Sequence, residues 1–416
     1  MSRPKLLFLC QTYPYPPDGG VWIRSFNVLR LLAREFDVTM LAFERAISDS
    51  DGFVVDAAEA AGRIAQLADT EVFAIPQRHS RLRFLSDHLR SVITQRPFTR
   101  YLYRSAECRA RLKQLLETQH FDVVHMDSMD LSDYLPLLDG LPVVCTHHNV
   151  ESELLRRRSR IEDSRAVGAY MALQARLTLR EEREWCARVA LNVAVSPDDA
   201  AKLREIAPGS DVAVVPNGVD VSYFRPAPTE PGASLVFVGG ANWFPNRDAL
   251  EYFCHDILPL VRREHPDIPV HWVGAAREDD RKRFRDEFGV DLTGYVDDIR
   301  PLVHDAACYI VPIRVGGGSR LKILDAWAMG KAVVTTSTGC EGLAAEHEGN
   351  ALIADTAEAF AAAVSRVVTD AALRRRLGES ARHTAQQRYS WDAIGSSMIP
   401  LYHRVRRPGH PAKGGP

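Results

Sequence analysis

Nothing in the 416 residues stays apolar for the roughly 20 positions that a membrane-spanning helix needs. The run Lys5-Leu6-Leu7-Phe8-Leu9-Cys10 follows a basic residue but stops before Tyr13-Pro14-Tyr15-Pro16-Pro17, which is too short for a signal peptide. No two cysteines have C-x-x-C spacing. The seven stand at 10, 108, 145, 186, 254, 308 and 340, several inside apolar runs, so buried thiols in a reducing, cytoplasmic compartment are expected, and a zinc site or disulfide framework is not. A large charge excess is missing too: 52 Lys and Arg against 54 Asp and Glu leave −2, without the basic field of a nucleic-acid-binding protein. Internal repeats are absent beyond two similar halves. What remains is a globular composition, 46% apolar and 25% charged, on a chain long enough for two domains of about 200 residues each.

The densest chemistry lies between two apolar runs of buried-strand type, Cys308 to Pro312 and Ala332 to Thr336. Between them Gly316, Gly317 and Gly318 precede Ser319, a good N-cap, and a helix pattern with Leu321, Leu324 and Ala328 on one stripe; Gly330 falls where a left-handed C-terminal cap belongs. Strand, glycine loop, helix and strand make a βαβ unit. Backbone stripped of side chains can approach a ligand closely, and the free amides and dipole of a helix start favour an anion, so a phosphate is the expected guest. Arg314, Arg320 and Lys322 add the positive charge that diphosphate recognition needs. Asp325 falls on the helix flank shared with Lys322 and Met329, one turn from the anion site, where a carboxylate could hold ribose hydroxyls. The loop lacks the Gly-Lys-Ser/Thr ending of a P-loop, and Gly316-x-Gly318-x-x-Leu321 lacks the third glycine of a dinucleotide fingerprint. The plainer alternative is a flexible connection with Lys322 and Asp325 as a solvated pair.

In chain order, a strand at Lys5 to Leu9, a loop ending in Asp18-Gly19-Gly20, a helix from Val21 to Arg34 and a strand at Val38 to Phe43 form an opening βαβ unit. Strands at Val72 to Ile75, Val123 to Met126, Val143 to Thr146 and Leu191 to Val195 alternate with helical stretches, the pattern of a parallel sheet covered on both faces. His147 and His148 follow the strand Val143 to Thr146, at the carboxyl edge where open α/β sheets place ligands; His125 closes the preceding strand. Arg78 to Lys113 carries ten Arg or Lys against two acids, with Leu82, Phe84, Leu85, Leu89, Val92 and Ile93 among them. Such a basic amphipathic segment is either a solvated face or a surface for anionic lipid. After Pro216-Asn217-Gly218-Val219-Asp220 and a Pro-rich linker, a strand at Ser234 to Val238, the loop Gly239-Gly240-Ala241-Asn242 and a helix from Asp248 to Arg263 open the second domain. The expected fold is therefore α/β, with two doubly wound, Rossmann-like domains. The first is expected over 1–210, completed by a helix at 393–405, the second over 211–392, with a disordered tail at 406–416.

These features together resemble family 4 glycosyltransferases of the GT-B fold over essentially the whole chain. The run from Gly316 to Ala326, followed by Glu341-Gly342-Leu343, is similar to that of bacterial polysaccharide-type sugar transferases. The resemblance implies two domains facing a central cleft, a nucleotide-sugar donor held mainly by the second, and a glycan or lipid-linked acceptor on the first. It assigns Gly19 and Gly20 to the loop facing the phosphates and His148 to the donor sugar. In the wider family two acids stand eight positions apart, the first touching the donor sugar and the second the ribose. Here the second is Asp325 and the first position holds Gly317. The loop after the first strand of the second domain usually carries an Arg and a Lys, where this chain has Gly240 and Asn246. Arg314, Arg320 and Lys322 are therefore expected to supply that charge.

The family retains anomeric configuration, which implies front-face substitution with the leaving diphosphate assisting removal of the acceptor proton. No protein nucleophile, metal or cofactor is then required, and catalysis rests on charge stabilisation and alignment. The expected location is the cytoplasm or the inner face of the cytoplasmic membrane. Two rivals share the fold, a sugar-nucleotide epimerase and a nucleotide-sugar-binding subunit without catalysis.

Overall fold

The computed structural model describes residues 3–45, 57–162, 164–227, 232–315 and 321–407. Among these the chain forms two compact units, one holding the residues up to Pro216 and again from Gly395, the other Asn217–Ile394.

In the first unit seven strands pair in parallel: β1 (Lys5–Cys10), β2 (Asp37–Phe43), β3 (Asp69–Phe73), β4 (Val123–Met126), β5 (Val143–His147), β6 (Leu191–Ala194) and β7 (Val212–Val214). They lie in the order β3-β2-β1-β4-β5-β6-β7. The central strands are mainly apolar because both faces are covered. Leu6, Leu7, Phe8, Val123 and Val124 are fully buried. In β1–β4 pairing Leu6 stands beside Val123 and Leu9 beside Met126. The order reverses between β1 and β4, so the loops after these two strands flank the place where open sheets bind ligands.

The second unit repeats the plan with β8 (Ser234–Val238), β9 (Val270–Val273), β10 (Asp291–Gly294), β11 (Ala306–Val311), β12 (Val333–Thr335) and β13 (Leu352–Ile353), in the order β10-β9-β8-β11-β12-β13. Its reversal lies between β8 and β11. The helix Leu321–Ala328 follows β11 and ends as expected: Gly330 takes φ +68°, its amide donates to Trp327, and the Lys331 amide donates to Ala326.

Three sequence expectations change. Val212–Val214 hydrogen-bonds to β6 and belongs to the first sheet, so the first unit ends at Pro216 and not at 210. The third strand lies at Asp69–Phe73, earlier than Val72 to Ile75, where it pairs in register with β2. The first helix of the second unit starts at Phe244 because Pro245 fits the first turn, whose amides need no partner. The final helix, Trp391–Val405, contributes Tyr402 to the first core from its later turns. The expected tail lies mostly at 408–416, outside the described residues. The seven cysteines are all buried thiols.

Candidate functional site

Each unit presents polar groups at its own reversal point. In the first, Gly19 is the N-cap of the helix Gly20–Leu32 in an extended conformation. The loop before it is braced by Arg45, which pairs with Asp18 and lies 3.8 Å over the Trp22 ring. A Cβ on Gly19 would meet that ring at 2.6 Å.

The loops after β4 and β5 meet around a residue that sequence reasoning missed, Asp127. It is 1% exposed. Its Oδ2 accepts from the Ser25 hydroxyl at 2.8 Å, and Cys10 Sγ stands at 3.5 Å. Its Oδ1 lies 3.7 Å from His125 Nε2 and 3.6 Å from His148 Nε2. Burial opposes ionisation, but the two imidazoles facing the carboxyl, His148 foremost, outweigh it and hold this carboxyl well below the usual carboxylate range. Arg24, 1% exposed on the helix behind, adds its charge and donates to the Pro216 carbonyl at 3.1 Å; burial lowers its pKa to about 10.

The two neighbouring histidines part company. His147, the last residue of β5, points into the core, where Nε2 meets Asn192 Oδ1 at 3.0 Å and burial lowers its pKa to about 4. His148, one residue on, lines a pocket with Asp130, Asn149 and Glu151. Burial and then the Asp130 charge raise Glu151 to about 7, while burial also raises Asp130.

In the second unit, Gly239 ends β8 with φ +153°, and a Cβ there would stand 2.7 Å from Lys322 Nζ and 2.8 Å from Asn246 Nδ2. Asn246 is buried and couples the two segments: its Nδ2 donates to the Gly240 carbonyl at 2.9 Å and its Oδ1 accepts from Lys322 Nζ at 2.7 Å. Lys322 also sits 4.0 Å over the Phe237 ring. The helix after β11 thus delivers an ammonium group to the glycine loop after β8, across the reversal point. Arg314 turns elsewhere. Its guanidinium makes two bonds to Asp248, 2.8 and 3.2 Å, and lies 4.1 Å over Tyr252. Gly316, Gly317, Gly318, Ser319 and Arg320 lie outside the described residues.

Asp325 does not form the surface pair with Lys322. It is largely withdrawn from water, and burial raises its carboxyl to about 7. Its charge is felt by the buried Tyr309, whose hydroxyl makes no hydrogen bond among the described residues. Among the described residues no three or more His, Cys, Asp or Glu are arranged to hold a metal ion.

With these two sites in place, the comparison with known proteins is decisive. The family profile described as "Glycosyltransferase Family 4" matches residues 18–223, and "Glycosyl transferases group 1" matches 232–370. The chain belongs to glycosyltransferase family 4. Among similar proteins, this glycosyltransferase is 29% identical over 315 residues to the phosphatidyl-myo-inositol mannosyltransferase of Mycolicibacterium smegmatis, spanning 72% of this chain and 75% of that one. It is 25% identical over 225 residues to the lipopolysaccharide core biosynthesis glycosyltransferase LpsD of Rhizobium meliloti, 51% of this chain and 63% of that one. The crystal structure of Anabaena Alr3699/HepE in complex with UDP superposes with a TM-score of 0.66 at 14% identity, covering 96% of this chain and 100% of the other. That likeness establishes the GT-B fold.

Proposed function

We propose that this glycosyltransferase moves a sugar from a nucleotide-sugar donor, with retention of anomeric configuration, to a glycan or lipid-linked acceptor in cell-surface polysaccharide or glycolipid synthesis. The observation that carries the donor assignment is the placement of Lys322 against the Gly239 loop, held there by Asn246. Lys322, with Arg320 and the amides of Gly316 to Ser319, takes the diphosphate and the charge that grows on it as the sugar leaves. Asp325 takes the ribose hydroxyls, Gly19 and Gly20 let the first-domain loop approach the phosphates, and His148 meets the sugar. Gly240 gives close backbone approach, and Arg314 adds charge at longer range once its bond to Asp248 is counted. The names of the relatives, a phosphatidyl-myo-inositol mannosyltransferase and a lipopolysaccharide core glycosyltransferase, support an acceptor anchored in lipid. No metal or cofactor is required, because lysine, arginine and helix-start amides carry the charge.

Incubation with radiolabelled sugar nucleotides and membrane extracts tests the assignment. Label should pass to a lipid-extractable or glycan product with the donor's anomeric configuration. An epimerised nucleotide sugar as the product, or binding without turnover, overturns it.

A peripheral site at the inner membrane face is part of the proposal. The helix Arg81–Thr94 leaves Leu82, Leu85, Leu89 and Ile93 more than half exposed on one side. Arg83, Arg90, Arg104, Arg109 and Lys113 line a groove nearby. Several basic side chains of this segment are answered by acids, Arg83 by Asp87 at 2.8 Å and Arg109 by Asp133 at 2.8 Å, so apolar insertion contributes along with charge. Salt-sensitive sedimentation with anionic vesicles, weakened by Leu85→Glu, is the expected result; equal binding to neutral vesicles removes the electrostatic part.

A further inference from the structure

The arrangement around Asp127 says more than where it is. Its Oδ1 is a fully buried acceptor that faces the Nε2 atoms of both His125 and His148, at 3.7 and 3.6 Å, and hydrogen-bonds to neither among the described residues. If either Nε2 carried no proton, two lone pairs would confront each other away from water, which buried polar groups avoid. Both rings therefore carry the proton on Nε2. For His125 this makes a requirement that the structure meets independently: Nδ1 must be an acceptor, and the Tyr402 hydroxyl stands 2.6 Å from it, placed to donate. In a neutral His148 ring the same placement of the proton on Nε2 leaves Nδ1 bare.

The geometry points to Asp127 as a positioning residue that fixes the tautomer of His148, so that His148 offers the pocket a bare Nδ1 and hence accepts a hydrogen bond from a substrate hydroxyl. Nδ1 is the ring nitrogen left for the pocket, because Nε2 is buried against the carboxylate. A hydrogen-bond acceptor excludes a phosphate oxygen as its partner and selects a sugar hydroxyl. The groups that bear on Asp127 come from every element packed round it: Cys10 on β1, Arg24 and Ser25 on the helix Gly20–Leu32, His125 on β4, His148 after β5 and Tyr402 on the last helix. Arg24 answers the carboxylate's charge, so an imidazolium at position 148 is not needed to balance it. Asp130 bears on His148 from the pocket side.

This deepens the assignment of His148 to the donor sugar, and the test separates the two. The full chain labelled with ¹⁵N-histidine reports ring tautomers by long-range proton–nitrogen correlation, with the His148 signals identified by their loss in His148→Gln. At pH 8 the wild type should show His148 as the Nε2–H tautomer; an Nδ1–H tautomer or an imidazolium overturns the inference without any folding risk. Asp127→Leu should turn His148 into a tautomer mixture, and an unchanged pattern in that variant removes Asp127 from the role. Tyr402→Phe, which removes only the hydroxyl beside His125 Nδ1, should leave the His148 signals where they were; a shift there contradicts the assignment of separate partners. Wild-type turnover in His148→Gln would defeat the sugar contact while leaving the tautomer assignment standing.

Discussion

The two units build comparable sites by opposite means. In the first, the polar groups at the reversal point are Asp127, His125, Arg24 and Cys10, all at 1% exposure or less, drawn from β1, the first helix, β4 and the residue that follows it. In the second, Lys322 and Asp325 come from a single helix that follows a single loop, and Asn246 is the main cross-brace. A site assembled from buried charges on distant segments is part of the fold's stability, whereas one presented by a local motif is separable from it. Substitutions should therefore unfold the first and only disarm the second.

The largest effect is expected where a buried charge loses its partner. Asp127→Ala leaves Arg24 and two imidazoles facing a void, and breaking a buried pair by removing one member costs about 3–5 kcal/mol. Thermal or urea unfolding should register it directly, with activity lost at temperatures where the wild type is intact. Stability within about 0.5 kcal/mol of wild type would break the contrast between the units.

Next comes Lys322→Ala. Withdrawing a donor that stabilises charge on the leaving group costs roughly 100- to 1,000-fold in kcat. The melting temperature should move far less than for Asp127→Ala, since Lys322 is only half-buried and belongs to a local motif. A rate loss that is fully explained by unfolding would put Lys322 in the same class as Asp127.

This contrast also governs what could be read from the chain alone. The helix of the second site is legible because its signals are local: an apolar stripe and Gly330 at its end set the face of Asp325 and the direction of Lys322. Asp127 was not legible. An Asp closing a strand is common, and its importance arises only when β1, β4, β5 and a helix some 270 residues away in sequence bring Cys10, His125, His148 and Tyr402 against it. Asn246 is a similar case. It stood out as a departure from the family's usual lysine, and only the structure joins it to Lys322. Arg314 is a third case, since no local pattern announces its bond to Asp248, 66 residues away in sequence.

A smaller effect, with a clean test, concerns Asp325. As a ribose ligand it makes charge-assisted hydrogen bonds of about 1.5–3 kcal/mol, so Asp325→Ala should weaken donor binding by roughly 10- to 150-fold. The loss should be confined to ligands that possess the ribose hydroxyls. Wild type should prefer the ribose donor over its 2′,3′-dideoxy analogue, and the variant should bind both alike; a preference that survives the substitution assigns the ribose elsewhere.

The smallest expected effect is the pH dependence of that same contact. Burial raises the Asp325 carboxyl from an ordinary value of about 3.9 to about 7. The folded state thus holds this proton more tightly than the unfolded chain does, and the group's contribution to stability falls as pH rises from about 4 to about 7. Asp325→Asn should remove that decline and leave the protein more stable above pH 7. Ribose hydroxyls donate, so they favour the ionised carboxylate, and nucleotide binding must expel the proton wherever the free protein still carries it. At pH 6 about a tenth of the molecules have Asp325 ionised, which makes nucleoside diphosphate affinity roughly 10-fold weaker than at pH 8. Titration calorimetry in two buffers of different ionisation enthalpy measures the released proton directly. Release near pH 6 in the wild type and none in Asp325→Asn is the expected pattern, and equal release in both would move the titrating group out of the second site altogether.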